Sequence, residues 1–292
     1  MDTALEEREL SPELTEKLHL LEDILRKMES VAVAFSAGVD STFLLYMAHR
    51  VLGGQAAAIT ATSPLFPEDE GVEAEAFTAE HGIIHHVFSF QPLGLPCFEE
   101  NPQDRCYYCK TALFREIRWY AEESCYAYVA EGTNVDDLGD YRPGLRALEE
   151  QKIRSPLREA GLTKADVRAL SRHFGLSTWD KPSFACLATR FPFGDEITEE
   201  RLSMVGQAEA YLKSLGLRQY RVRIHDLIAR IEVEPQDLER LAAPGVREPL
   251  VEHFQSLGFR YVTLDLAGYR SGSMNPVSNE APETEAPETE AQ

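Results

Sequence analysis

Three of the five cysteines of the chain occupy positions where thiol chemistry is expected. Cys106 and Cys109 stand three residues apart in RCYYCKTALF, at the start of a helix-like run, and Cys186 lies in DKPSFACLATRFPFG. A disulfide, a zinc site, a redox pair and an iron–sulfur cluster all use the first spacing. Basic residues flank the three cysteines, and nearby positive charge lowers the pKa of a thiol. We therefore treat all three as candidate functional residues rather than as packing residues.

The C-x-x-C spacing alone does not choose among these sites, but other features weigh against several of them. Structural zinc usually takes four ligands, and no second C-x-x-C is present. A disulfide framework is rare in a reducing compartment. Cysteine thiolates are the usual ligands of iron–sulfur clusters, and three of them would leave one iron open. Cys97 and Cys125 are expected to behave as small hydrophobic residues, Cys125 at the start of a strand.

The stretch VAVAFSAGVDSTFLL predicts a phosphate-binding loop between a strand and a helix. Small residues let the backbone approach an anion, and the N-terminus of the helix presents free N–H groups to phosphate. The residues that we expect to contact ATP are Ser36, Ala37, Gly38, Asp40, Ser41 and Thr42. The carboxylate of Asp40 indicates a magnesium ion at this loop. Alanine at position 37 is compatible with the loop unless that position needs a positive φ.

Strand-like and helix-like segments alternate through the first part of the chain, which predicts an α/β fold with a parallel sheet and crossover helices. After about residue 190 the pattern changes to a smaller α+β unit, with two paired strands and one helix over 237–258. We expect a nucleotide-binding domain over 1–190 and a substrate or oligomerisation domain over 196–275. An acidic tail over 276–292, in which APETE occurs twice, is expected to be disordered.

Charge and hydropathy narrow the range of partners. The chain has 49 acidic and 29 basic residues and a formal net charge of −20, which argues against non-specific nucleic-acid binding because such binding needs a basic face. The sequence has no run of 18 apolar residues, and its acidic first residues do not look like a secretory signal. We therefore predict a cytoplasmic protein without a membrane span.

The phosphate loop closely resembles the SGGxDS loop of the PP-loop ATP pyrophosphatases, with Ala37 in place of the first glycine. Taken with DYRPG, KPSFACLATRFPFG, RVRIHDLIARIEV and RYVTLDLAGYRSGSMN, it looks like the LarE family from about residue 15 to 275. This resemblance implies adenylylation of the carboxylates of a pyridinium nucleotide, release of pyrophosphate, and insertion of sulfur to give thiocarboxylates. Such a product belongs to the synthesis of the nickel-pincer nucleotide cofactor.

The resemblance also implies how sulfur is supplied. Some members of the family give up the sulfur of one cysteine, and others carry three cysteines and a [4Fe-4S] cluster. With Cys106, Cys109 and Cys186, this sequence resembles the second type, in which these three residues ligate the cluster. The family forms homo-oligomers, so we expect one here. The sulfide donor is not identified by the sequence.

An anionic substrate needs cationic side chains to position it, and arginine matches carboxylate and phosphate groups with two hydrogen bonds. Arg142, in the DYRPG motif, is expected at the nucleotide. The residues that we expect to position the substrate are Arg190, Arg221, Arg223 and Glu209. Arg221 and Arg223 lie two positions apart and so share one face of a predicted strand.

Three other functions remain open at the level of sequence. A tRNA-thiolating enzyme would combine the same loop with cysteines, but the acidic charge weighs against it. An amide-forming ligase would use the same loop, with the cysteines as incidental zinc ligands. A nucleotide-binding regulator or sulfur-carrier scaffold would bind ATP without turnover. Release of pyrophosphate and metal analysis distinguish these alternatives from sulfur transfer.

Overall fold

The computed structural model describes residues 10–139, 143–270 and 272–274. Its strands are β1 (Val31–Ala34), β2 (Ala56–Thr62), β3 (Ile84–Ser89), β4 (Tyr128–Ala130), β5 (Tyr220–His225), β6 (Ile228–Val233) and β7 (Tyr261–Leu264). Its α-helices are α1 (Pro12–Met28), α2 (Val39–Leu52), α3 (Glu68–His81), α4 (Arg105–Glu123), α5 (Gly144–Glu150), α6 (Pro156–Glu159), α7 (Lys164–His173), α8 (Glu199–Ser214), α9 (Leu238–Ala242) and α10 (Pro244–Ser256). Short 3-10 turns lie between some of them, including one at Leu187–Arg190. None of these helices combines the length and the apolar character that crossing a bilayer requires.

The first sheet has the strand order β3-β2-β1-β4, and all its strands are parallel. Parallel neighbours need crossover connections, which α2, α3 and α4 supply along the chain. The central strands β1 and β2 are apolar along most of their length because helices cover both faces of the sheet. The predicted α/β fold with a parallel sheet is therefore confirmed.

Helix α1 begins at Pro12 and ends at Met28. Ser11 caps its start by accepting a hydrogen bond from the backbone N–H of Leu14, and Pro12 takes the first helical position. Leu18, Leu21 and Leu25 lie on one face and are buried in the core beneath α2. Each such leucine contributes roughly 1.5–3 kcal/mol by leaving water, so this face anchors α1 to the first sheet.

A second, smaller sheet has the order β5-β6-β7. Strands β5 and β6 form the predicted antiparallel hairpin, whose turn places Asp226 at a φ of 51°, and β7 adds in parallel to β6. Helix α8 packs its apolar face against this sheet. The same core also takes in Leu65 and Phe98 from the first half of the chain. The two units thus share packing, and a domain boundary at 190–196 stays a prediction.

The single helix predicted over 237–258 is wrong. The chain forms α9 and α10 instead, with Ala243 between them in an extended conformation at φ −62° and ψ 137°. The cause is Pro244, because a proline ring clashes with a helical conformation of the residue before it. Proline is well tolerated at the first position of a new helix, which is where Pro244 stands.

The turn between β1 and α2 contains an unusual backbone conformation. Ala37 has a φ of 52°, in the left-handed region that favours glycine, whereas the neighbouring Gly38 is extended at −78°. A residue with a Cβ pays about 1–2 kcal/mol to adopt this conformation. The position where the PP-loop pattern has its first glycine therefore does need a positive φ, and the alanine here is accommodated under strain.

We expect Ala37→Gly to leave the free energy of unfolding unchanged or to raise it by up to about 1 kcal/mol, since relief of strain offsets the loss of a buried methyl and the greater freedom of the unfolded chain. The matched control is Ala34→Gly in β1, which should lower that free energy by about 1 kcal/mol because its backbone is already favourable for alanine. Chemical denaturation measures both. Equal destabilisation by the two substitutions would contradict a strained Ala37.

Candidate active site

The phosphate loop (residues 36–42) gathers hydroxyl groups at the start of α2. The hydroxyl oxygens of Ser36 and Ser41 lie 3.1 Å apart, and Ser41 also donates to the carbonyl of Gly38 at 3.3 Å. Thr42 is 1% exposed, and its hydroxyl has no hydrogen-bond partner among the described residues. An unpaired buried hydroxyl is costly, and the first N–H groups of a helix also lack partners within it. The loop therefore has donors available for an anion.

Asp40 is held from two sides at this loop. The side-chain amide of Asn134 donates to one carboxylate oxygen at 3.2 Å, and Lys164 forms an ion pair with the other. Magnesium in nucleotide sites usually takes one or two carboxylates, phosphate oxygens and water. Asp40 supplies one carboxylate beside the loop, so it fits an ion that arrives with a nucleotide. Lys164, which the sequence analysis did not single out, would share that carboxylate.

The loop after β4 packs directly against the start of α2. A Cβ built on Gly132 would lie 2.9 Å from the backbone nitrogen of Ser41 and 3.1 Å from the Cβ of Asp40, so only glycine fits without a backbone shift. Glu131 is buried and accepts hydrogen bonds from the hydroxyl of Ser155 and from Thr133. These contacts place the first residues of the stretch EGTNVDDLGDYRPG (131–144), which ends in the DYRPG motif, beside the phosphate loop. Arg142 and the rest of its DYR triplet lie outside the described residues, as does the 276–292 tail.

The cysteine segment (residues 181–190) connects the phosphate loop with the rest of the site. Lys181 donates to the carbonyl of Ala37 at 3.0 Å and forms an ion pair with Glu73 of α3. At the other end, Arg105 of α4 donates to the carbonyl of Ala188 at 3.0 Å. The backbone nitrogen of Leu187 bonds the carbonyl of Leu65. Contacts from three parts of the fold thus fix where this segment lies.

Cys106, Cys109 and Cys186 come together on this scaffold. The first two lie in the first turn of α4, and Cys186 directly precedes the turn Leu187–Arg190. A guanidinium nitrogen of Arg105 lies 3.8 Å from the sulfur of Cys106. Burial raises the pKa of the Cys109 thiol to about 12, and the charges of Cys186 and Cys106 add to that rise. The three thiols are therefore close enough to influence one another electrostatically.

The donor set of this site bears on which group it could hold. Burial also raises the pKa of Cys186, against the opposing influence of Arg105. Within residues 10–139, 143–270 and 272–274, no group of three or more His, Cys, Asp or Glu is placed to hold a metal ion. Cysteine thiolates are the usual ligands of iron–sulfur clusters, so these three cysteines are the residues that would hold one. The donor chemistry fits a cluster.

The other two cysteines differ from their expected role as small buried hydrophobes. Cys97 and Cys125 are both exposed, and both have a positive φ, of 62° and 60°. Cys125 lies just after the end of α4 and not at the start of a strand, because β4 begins only at Tyr128. Because they are exposed, whereas Cys106, Cys109 and Cys186 are half-buried, they serve as controls for substitutions at the candidate site.

Two of the predicted substrate-binding arginines are engaged in buried ion pairs. Arg190 and Glu209 form a bidentate pair, with nitrogen–oxygen distances of 2.6 and 2.9 Å, at 1% and 6% side-chain exposure. Arg223 donates twice to one oxygen of Glu232, at 2.8 and 3.0 Å. A buried pair of this kind organises the interior, because removing one partner leaves an uncompensated charge. The structure brings Arg190 and Glu209 together, with each other as main partner.

Arg221 differs from these two. It lies on the same face of β5 as Arg223, as predicted, but its described hydrogen bonds go to the carbonyls of Tyr220 and Ser183, at 2.6 and 2.5 Å. Its guanidinium also lies over the rings of Phe184 and Tyr269, 4.9 and 5.1 Å from their centres. Burial lowers its pKa to about 10, with the charge of Arg190 adding to the effect. None of its described hydrogen bonds goes to a carboxylate, although the charge of Glu209 partly opposes the effect of burial on its pKa, so it is the best placed of the three to receive an anion.

A cleft of about 700 Å³ opens between the two units. Its walls come from residues 63–67, the start of α3, the cysteine segment and α8. A smaller cavity of about 370 Å³ adjoins it and shares Lys181, Phe184 and Tyr220. Cavities of this size suit small ligands. Lys181, which contacts the phosphate loop, and Leu187, which follows Cys186 in the chain, both line this cleft.

Glu70, in the cleft wall, is a residue that sequence analysis missed. Burial raises the pKa of its carboxyl to about 7, with the charges of Asp69 and Glu73 adding to the rise and that of Lys181 opposing it. In the sequence it stands in the run EDE at a helix start, which gives no sign of burial. Lys181, in contrast, lies inside the KPSFACLATR motif and could have been found there.

Comparison with known proteins gives the following. No family model matches the chain. The chain is 39% identical over 258 residues to the pyridinium-3,5-bisthiocarboxylic acid mononucleotide synthase of Lactiplantibacillus plantarum, covering 88% of this chain and 93% of that protein. It is 43% identical over 264 residues to an uncharacterized protein of Synechocystis sp., covering 90% and 98%. A protein of Methanocaldococcus jannaschii, also uncharacterized, is 29% identical over 248 residues, covering 84% and 92%.

Glu70 should make the stability of the protein depend on pH. Its folded pKa of about 7 lies above the unfolded value of about 4.3, so the folded state binds this proton more tightly. Stability from this group is present below about pH 4.3 and is lost as pH rises through 7. Over that range, we expect the free energy of unfolding of Glu70→Gln to rise relative to that of the wild type, by roughly 1–3 kcal/mol near pH 8.

Chemical denaturation near pH 5 and near pH 8 measures this difference, with the exposed cleft residue Glu199→Gln as the control that should show no such gain. A Glu70→Gln protein whose stability differs from the wild type by the same amount at both pH values would contradict the raised pKa.

Proposed function

The chain belongs to the LarE family, that of the pyridinium-3,5-bisthiocarboxylic acid mononucleotide synthase, and on that premise we propose that it is an ATP-dependent sulfurtransferase. It adenylylates the carboxylates of a carboxylated pyridinium nucleotide, releases pyrophosphate and replaces oxygen by sulfur to give thiocarboxylates. The product would serve the synthesis of the nickel-pincer nucleotide cofactor. The observation that carries this proposal is the identity of 39% along nearly the whole length of the named synthase.

The phosphate loop supports the use of ATP. Its backbone N–H groups and the hydroxyls of Ser36, Ser41 and Thr42 are the groups that would bind phosphates. Asp40 is the carboxylate that would share a magnesium ion with them, and magnesium would neutralise charge on the phosphates. The carbonyl of the strained Ala37 accepts a hydrogen bond from Lys181. A shift of the phosphate loop would therefore move a contact of the cysteine segment.

The three thiols support a role in sulfur supply. Cys106, Cys109 and Cys186 would hold a [4Fe-4S] cluster as thiolates. Such a cluster, when bound, would make sulfur available for transfer without consuming the protein. Arg105 contacts both the sulfur of Cys106 and the carbonyl of Ala188. It therefore links the start of α4, which carries Cys106 and Cys109, to the segment that carries Cys186.

Arg221 supports an anionic substrate. It is a buried cation whose described partners are carbonyls and rings rather than carboxylates. A substrate carboxylate or phosphate would give it a directly hydrogen-bonded anion. In this proposal Arg190, Arg223 and Glu209 do not bind the substrate directly. Their buried ion pairs stabilise the structure around Arg221. The homo-oligomeric state and the cytoplasmic location stay predictions.

The direct test supplies the purified protein, without oxygen, with magnesium-ATP, sulfide and pyridinium-3,5-biscarboxylic acid mononucleotide. We expect pyrophosphate to be released and the mass of the substrate to rise by one exchange of oxygen for sulfur at each carboxylate. Pyrophosphate release without any sulfur-containing product would indicate an adenylylating ligase. Absence of both would contradict the proposed function.

Cys186→Ser should separate the two halves of the reaction. We expect it to abolish thiocarboxylate formation while pyrophosphate release stays within about twofold of the wild type, because the loop that would bind ATP does not contain this residue. The exposed Cys125→Ser is the matched control and should retain both activities. Undiminished thiolation by Cys186→Ser would show that this thiol takes no part in sulfur transfer.

A further inference from the structure

The carboxyl group of Glu70 has no partner in the cleft. Neither a hydrogen bond nor an ion pair holds it within the described parts of the chain, although the cations on either side are occupied. Lys181 pairs with Glu73, and Lys213 of α8 pairs with Asp69. Among the described residues, Glu70 belongs to no group of three or more His, Cys, Asp or Glu that could hold a metal ion. Its carboxyl is thus a titratable group with no structural task in the cleft wall.

The groups that face Glu70 decide how it titrates. Asp69 and Glu73 lie on its own helix, Lys181 on the cysteine segment and Lys213 on α8. The two acids raise its pKa and the two bases lower it, but burial has the largest effect and brings the value to about 7. A group that is half protonated near neutral pH can both accept and release a proton, which suits general acid–base catalysis.

We propose that Glu70 accepts the proton that sulfur loses when it replaces oxygen at the substrate carboxyl. This assignment rests on the proposed function and adds to it a catalytic residue. The cleft that Glu70 faces is also lined by Leu187, which follows Cys186, and by Phe184 and Lys181 of the same segment. The carboxyl of Glu70 and the segment that carries Cys186 therefore border the same cavity.

The step balances without an oxidant or a reductant. The sulfur of a hydrosulfide forms a bond to the carbonyl carbon of the acyl adenylate. The bond from that carbon to the phosphate oxygen breaks, and AMP leaves with the electron pair. The proton on sulfur passes to the carboxylate of Glu70, directly or through one water, and later returns to solvent through the open cleft.

Glu70→Gln tests this assignment, because glutamine keeps the shape and hydrogen-bonding capacity of the protonated acid but cannot take up a proton. Thiocarboxylate formation should fall about 100-fold near pH 7, a typical contribution of general base catalysis. The rise of the wild-type rate with pH through about 7 should disappear, since that limb reports the ionisation of the base. The first turnover of pyrophosphate release should stay within about twofold of the wild type.

Two further variants complete the experiment. Glu70→Asp keeps a carboxylate and should recover part of the rate together with a rising pH limb, which a merely structural role would not produce. Glu200→Gln, exposed on α8 and outside the lining of the cleft, should behave as the wild type. An unchanged rate and pH limb in Glu70→Gln would overturn the assignment while the proposed function stands. A wild-type protein that forms no thiocarboxylate would overturn the proposed function and the assignment with it.

Discussion

Arg190 and Glu209 form a buried bidentate ion pair, and the placement of the cysteine segment depends on it. The segment has no long helix or strand of its own, so it cannot hold its position by backbone hydrogen bonds alone. Glu209 belongs to α8 and also accepts the backbone N–H of Val222 in β5 at 2.8 Å. One carboxylate therefore joins the segment, a helix and a sheet, and removing either charge would cost roughly 3–5 kcal/mol.

The other contacts of the segment extend this constraint to the first sheet. Lys181 joins it to the phosphate loop, and Arg105 joins it to the first turn of α4. Because both ends are fixed, Cys186 can lie close to Cys106 and Cys109 even though about 80 residues separate them in sequence. The cleft lies beside this segment, and α3, which carries Glu70, forms one of its walls. The cysteine segment thus contacts the phosphate loop and the start of α4, and it also lines the cleft.

Much of the fold could be predicted from the sequence because hydrophobic pattern and caps are local signals. The apolar runs of β1 and β2, the capped α1 and the hairpin of β5 and β6 all carry their own signal. The helix over 237–258 failed because Pro244 interrupts a pattern whose apolar spacing is otherwise helical. From the sequence, alanine at position 37 was compatible with the loop unless that position needs a positive φ. Only the structure shows that it does, because Ala37 has a φ of 52°.

The candidate site was less predictable, since its properties arise from contacts distant in sequence. The burial of Arg221 and Arg223 comes from residues on the cysteine segment and on β6, so the strand itself gives no sign of it. The pairing of Arg190 with Glu209 follows from packing α8 on the segment. Glu70 lies in an acidic run that is typical of a solvated helix start, and only the approach of the second unit desolvates it.

The measurement that tests the central claim most directly is the iron and acid-labile sulfide content of the protein purified without oxygen. If the cysteine segment brings Cys186 close enough to Cys106 and Cys109 for all three to ligate one cluster, the wild type and Cys125→Ser should each contain about four irons and four sulfides per chain. Cys106→Ser and Cys186→Ser should both lose them. Full iron content in either of these variants, or a wild type without iron, would contradict a site built by joining Cys186 to the first turn of α4.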